Sequence, residues 1–60
     1  MIDYAYPTMM AEKALKQMHD AMLMKRYDEA LQMTKDAMNY LFDVQIAVLH
    51  EKNKEEARNR

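Results

Sequence analysis

Two histidines in this chain carry an acidic neighbour, His19 beside Asp20 and His50 beside Glu51. Such pairs are raw material for general acid–base chemistry or for metal ligation. The spacing argues against both, because adjacent helical residues point about 100° apart and do not share a site. A di-iron bundle site needs Glu three positions before each His, and Lys16 and Ala47 stand there instead. A structural zinc site lacks its thiolates, since the chain has no cysteine. Covalent catalysis by a serine or cysteine nucleophile is closed too, and no glycine-rich loop exists to cradle a phosphate. The residues therefore imply a non-enzymatic protein with no catalytic, cofactor-binding or metal site. Both histidines are expected on the surface or at the rim of an interface.

Methionine is the other unusual residue, with eight among 60. Flexible thioethers either fill irregular gaps in an alanine-rich core or form a surface that accepts protein partners. Met9, Leu23 and Met24 fall near or on the polar side of the first expected helix, which makes them candidates for a partner surface. Nine basic against ten acidic residues leave a net charge of −1. The basic group Lys13, Lys16, Lys25 and Arg26 is interrupted by Glu12 and Asp20, so nucleic acid is not an expected partner. The longest apolar stretch, 40–49, contains Asp43 and Gln45 and is too short and too polar to cross a bilayer. The first residues carry Asp3 among tyrosines where a secretory signal would be basic and then apolar, and a cytoplasmic location is the expectation.

The elements that position these residues are helical. The chain has no glycine, a single proline at position 7 and few β-branched residues. Pro7 disfavours helix at Tyr6, so residues 1–7 are expected to be extended, with Thr8 as the cap. Ala11, Ala14, Leu15, Met18, Ala21 and Met22 then recur at helical spacing, opposite Glu12, Lys13, Lys16 and Asp20, and this predicts an amphipathic helix over 8–24. Lys25 and Arg26 followed by Asp28 and Glu29 mark a turn by charge, since a helix C-terminus favours cations and an N-terminus anions. A second helix over 27–52 carries Ala30, Ala37, Leu41, Val44 and Val48, widened by Leu31, Met38, Phe42 and Leu49. Its polar line of Glu29, Gln32, Asp36, Asn39 and Asp43 fails at Ile46. Residues 53–60 are expected to be a charged, fraying tail of the single domain 1–60.

Tyr27, Asp28, Glu29 and Ala30, with Ala37 following, resemble the second helix of a tetratricopeptide repeat, where an aromatic opens the helix and small residues pack on its partner. The likeness spans roughly residues 14–41. It implies helix-hairpin geometry, with Tyr27 as a core residue that closes the hairpin.

A chain of 60 residues without disulfides is marginal as a lone hairpin. With helices over 8–24 and 27–52, the first runs out opposite about residue 43, leaving Phe42, Ile46 and Leu49 uncovered except for what Ile2, Tyr4 and Tyr6 can fold over them. A second copy is the simplest cover. The expectation is an all-α antiparallel hairpin that assembles into a four-helix bundle, a homodimer first and a tetramer next, with Phe42, Ile46, Leu49, Met38 and Leu41 as the interface. The function expected is a structural or interaction protein that self-associates through its apolar helix faces. The alternative is a small regulator, of the kind phages and mobile elements encode, that binds and inhibits a host protein.

Overall fold

The computed structural model describes residues 3–58, and these form two helices, α1 (Ala5–Leu23) and α2 (Tyr27–Arg58). They pack side by side as an antiparallel hairpin measuring 53 × 14 × 13 Å. Among the described residues there is no strand.

α1 begins three residues before the expected start. Asp3 Oδ1 accepts the Ala5 N–H at 2.9 Å, which satisfies one of the amides that a helix start leaves without an internal partner. Pro7 is therefore the third helical residue. Its missing N–H costs nothing there, because amides of the first turn have no carbonyl to reach. The preference of Tyr6 for extended backbone is overridden, and Pro7 is buried. Thr8 lies inside the helix and does not cap it: its N–H and its hydroxyl both donate to the Tyr4 carbonyl, at 3.1 and 2.7 Å.

α1 ends in a Schellman motif without glycine. The Arg26 N–H donates to the Ala21 carbonyl at 2.8 Å and the Lys25 N–H to the Met22 carbonyl at 3.1 Å. This geometry requires a left-handed residue, and Lys25 takes it with φ 58°. α2 then starts with Asp28 and Glu29 in its first turn, where the helix dipole favours negative charge. It continues to Arg58, so 53–58 of the expected tail is helical, with Lys52 and Glu56 one turn apart at 3.7 Å. Residues 59–60 lie outside the described range.

The core is made of alanine. Ala11, Ala14 and Ala21 of α1 and Ala30, Ala37 and Ala47 of α2 are buried, Ala37 at 2% and Ala47 at 1% exposure, and among the described residues no large side chain is fully buried. At 1.5 Å per residue on either side of the turn, Ala21 lies level with Ala30, Ala14 with Ala37, Pro7 with Val44 and Tyr4 with Ala47. Alanine suits such a seam because it lets two backbones approach closely and carries the best helix propensity. Methionine divides between the two readings: Met18 and Met33 are half-buried along the seam and Met10 is half-buried too, whereas Met9, Met22, Met24 and Met38 are exposed. Tyr27 does not close the hairpin either, being 56% exposed.

Two changes test this description. Lys25→Gly removes the clash of a Cβ in the left-handed region and should stabilise the chain by about 0.5–1 kcal/mol, read as a higher urea midpoint. A midpoint equal to or below that of the parent would contradict the left-handed turn. Ala37→Leu forces a large side chain between two close backbones and should cost about 1–3 kcal/mol at fixed protein concentration. A neutral outcome would show that the helices do not meet at Ala37.

Candidate interaction surface

The burial pattern of α2 resolves its broad apolar belt into two stripes of alternating three- and four-residue spacing. The inner stripe is Ala30, Met33, Ala37, Tyr40, Val44 and Ala47, and every member is buried or half-buried. The outer stripe is Tyr27, Leu31, Thr34, Met38, Leu41, Gln45, Val48 and Lys52, and every member is exposed. From Ala30 onward each inner residue is followed directly by an outer one, so the stripes lie about 100° apart around the helix. One seam faces α1. The other has no cover in the hairpin, although its spacing is that of a helix built to meet a second helix.

α1 repeats the arrangement. Its inner line of Pro7, Ala11, Ala14, Met18 and Ala21 is followed one position later by Thr8, Glu12, Leu15, His19 and Met22. Because the helices are antiparallel, a step of one residue along the chain rotates off the seam toward the same side of the hairpin in both. Leu15 and Met22 therefore extend the surface of Leu31, Met38, Leu41 and Val48. All six are exposed, and they share this side with Glu12 and His19 of α1, which alternate with Leu15 and Met22 along the same line.

Of the five interface residues expected from sequence, Met38 and Leu41 belong to this outer stripe. Phe42, at 61% exposure, and Leu49 flank it, at the helix position also occupied by Asp28, Lys35 and Glu56. Ile46 is set apart. It is 41% exposed and lines an open depression of about 260 Å³ with Asp3, Tyr6, Pro7, Tyr40 and Asp43. The reason for the exposure also differs from the expected overhang. With α1 starting at Ala5, cover reaches Ala47, so Phe42 and Leu41 are exposed by the direction they face and not by a lack of helix beside them. Tyr4 and Tyr6 do not close over them, for both are exposed themselves. Ile2 lies outside the described residues.

The three partner-surface residues do not come together. Met9 lies near the start of α1, about 21 Å along the axis from Leu23, and points away from the seam. Leu23, at 70% exposure, and Met24 sit at the turn. Met24 lines a second open depression, of about 340 Å³, with Gln17, Asp20, Ala21, Arg26, Glu29 and Met33. That hollow is on the polar side of the hairpin.

Electrostatics contribute little to the hairpin. Among the described residues the ion pairs are Arg26–Glu29 and Lys52–Glu56, both at 3.7 Å between exposed side chains, and neither joins α1 to α2. Gln32 Nε2 donates to Asp36 Oδ1 at 3.0 Å along the polar side of α2. Among the described residues no polar side chain is buried. His19 and His50 are exposed, and His50 lies about 27 Å along the bundle from the level of His19. No cluster of three or more His, Cys, Asp or Glu able to hold a metal ion occurs among the described residues, and no helix there is long and apolar enough to cross a membrane.

The heptad stripe of α2 was visible in the spacing Tyr27, Leu31, Thr34, Met38, Leu41, Gln45, Val48. It was obscured because it interleaves with the inner stripe, and the two together look like apolar residues encircling one helix. No protein-family model, no curated protein and no solved structure matches this chain.

Proposed function

We propose that this chain is a non-enzymatic helical interaction protein whose activity is self-association: two hairpins bury the outer stripe of α2 against each other and form a four-helix bundle. The observation that supports this is the set of exposed large apolar residues sharing one side of the hairpin, beside a core whose buried members are alanines and Pro7. Leu15, Met22, Leu31, Met38, Leu41, Phe42, Val48 and Leu49 are each roughly half exposed. At about 200 Å² for a fully exposed side chain of this size, they present on the order of 800 Å² of apolar surface per copy. A stable protein–protein interface of ordinary size buries about that much on each partner. It also exceeds the roughly 300–600 Å² of the largest apolar patch on a typical soluble monomer.

The alanine seam points the same way. Burying a methyl group removes little area from water, whereas each leucine or methionine of the outer stripe is worth about 1.5–3 kcal/mol when fully buried. Most of the apolar free energy available to this sequence is therefore realised between hairpins and not within one. Folding and association are coupled, and stability depends on protein concentration.

Sedimentation equilibrium at micromolar concentration should give the mass of a dimer or of a higher closed oligomer. Leu41→Glu places a charge at the middle of the stripe and should weaken association at least about tenfold, with a parallel loss of helicity on dilution. A parent chain that sediments as a fully helical monomer would overturn the proposal. So would a Leu41→Glu variant that associates as tightly as the parent.

A further inference from the structure

The order of residue types along the outer stripe carries an orientation. From one end it runs aromatic, aliphatic, polar, apolar (Tyr27, Leu31, Thr34, Met38), and from the other cation, aliphatic, polar, apolar (Lys52, Val48, Gln45, Leu41). Accepting the self-association proposed above, we infer that the second copy docks antiparallel, α2 on α2, with the two-fold axis level with Asn39 and Tyr40. Met38 of one copy then meets Leu41 of the other, Thr34 meets Gln45, Leu31 meets Val48 and Tyr27 meets Lys52.

Each layer matches in chemistry. The Thr34 hydroxyl already donates to the Ala30 carbonyl at 2.9 Å, so its oxygen faces the interface as an acceptor only. The Gln45 amide supplies the donor that this acceptor needs, and it does so twice in the symmetric pair. The aliphatic stem of Lys52 lies along the Tyr27 ring and carries the ammonium toward its face or to water.

Other arrangements place unlike groups together. Sliding one copy by a heptad in one direction sets Leu41 against Gln45 and Thr34 against Lys52. Sliding in the other direction sets Met38 against Thr34 and Tyr27 against Gln45. Either shift buries polar groups against apolar ones, which leaves donors or acceptors without partners. Parallel docking pairs every layer with itself. It then opposes two Thr34 acceptors with no donor between them, brings Lys52 against Lys52, and sets Glu51 beside Glu56 of the other copy, so like charges meet at one end. Pairing α2 with α1 of the second copy fits less well. The α1 stripe from Thr8 to Met22 extends only about 21 Å, while that of α2 from Tyr27 to Lys52 extends about 38 Å. Only α2 on α2 covers the longer stripe throughout.

Because the chain has no cysteine, single cysteines report the orientation without interference. Leu31→Cys and Val48→Cys chains are mixed in equal amounts and equilibrated in a glutathione redox buffer. Antiparallel docking predicts that the mixed disulfide dominates, at least about tenfold over either homodisulfide, because only that pair meets the distance a disulfide needs. Dominant Leu31→Cys homodisulfide would overturn the inference in favour of parallel docking. An absence of any disulfide beyond the level of a denatured control would overturn it in favour of another face. Sedimentation of the reduced mixture separates the two levels of proposal. A monomer refutes self-association itself, whereas a dimer with homodisulfides refutes only the orientation. Should circular dichroism show that either variant fails to fold, Met38→Cys mixed with Leu41→Cys makes the same test at the two-fold axis, with the same expected mixed product.

Discussion

Close approach of two backbones along an alanine seam is the constraint on which the rest of this molecule depends. Ala11, Ala14 and Ala21 from α1 and Ala30, Ala37 and Ala47 from α2 occupy the heptad positions facing the partner helix, and a larger side chain there would push the axes apart. The seam fixes the rotation of each helix about its own axis. Once that rotation is set, the residue following each seam position is carried about 100° to one side, and in an antiparallel pair both helices carry it to the same side. That Leu15, Met22, Leu31, Met38, Leu41 and Val48 share one side of the hairpin is thus a geometric consequence of where the alanines stand.

Alanine also sets the energetics. Here Met18, Met33, Tyr40 and Val44 are half-buried along the seam, while Leu15, Met22, Leu31, Met38, Leu41 and Val48 lie one position away from it and are exposed. The turn adds no glycine to relieve its left-handed residue, and the ion pairs among the described residues are solvent-exposed and local. None of these features adds much to a core whose fully packed members are small, which is why the proposed self-association turns on what covers the outer stripe.

The helical class, the hairpin and the position of the turn were legible in the sequence, because each depends on local signals: the absence of glycine, helical spacing, and the reversal from Lys25 and Arg26 to Asp28 and Glu29. The ends were less legible. Pro7 reads as a boundary when only its effect on Tyr6 is considered, yet the Asp3 carboxylate takes the Ala5 amide and lets the helix begin earlier, with the proline in the turn where it costs least. The mixed charges of 53–58 read as a solvated tail, and solvated helix satisfies that composition equally well, as the Lys52 and Glu56 spacing shows. The likeness of Tyr27 to a repeat-family aromatic concerned residue type alone. In this hairpin the neighbouring Ala30 takes the seam position, and Tyr27 falls in the outer stripe.

The candidate surface was half legible for a related reason. Phe42, Leu49, Met38 and Leu41 stand out as apolar residues without a polar counterpart; helix length accounts for Leu49, which lies beyond the start of α1, but not for Phe42, which is exposed by the direction it faces. Counting apolar residues in a window cannot separate one wide stripe from two narrow ones. Knowing which residues are buried can, because removing the inner stripe leaves Tyr27, Leu31, Thr34, Met38, Leu41, Gln45, Val48 and Lys52 as a single heptad line with its own polar layers. Those layers are the informative part. A stripe of uniform leucine would bury as much area in several registers and orientations, whereas one threonine and one glutamine at mirrored positions cost little in the matching alignment and much in every other. Under the proposed self-association, Thr34 and Gln45 are therefore determinants of how copies would pair and not imperfections in an apolar line.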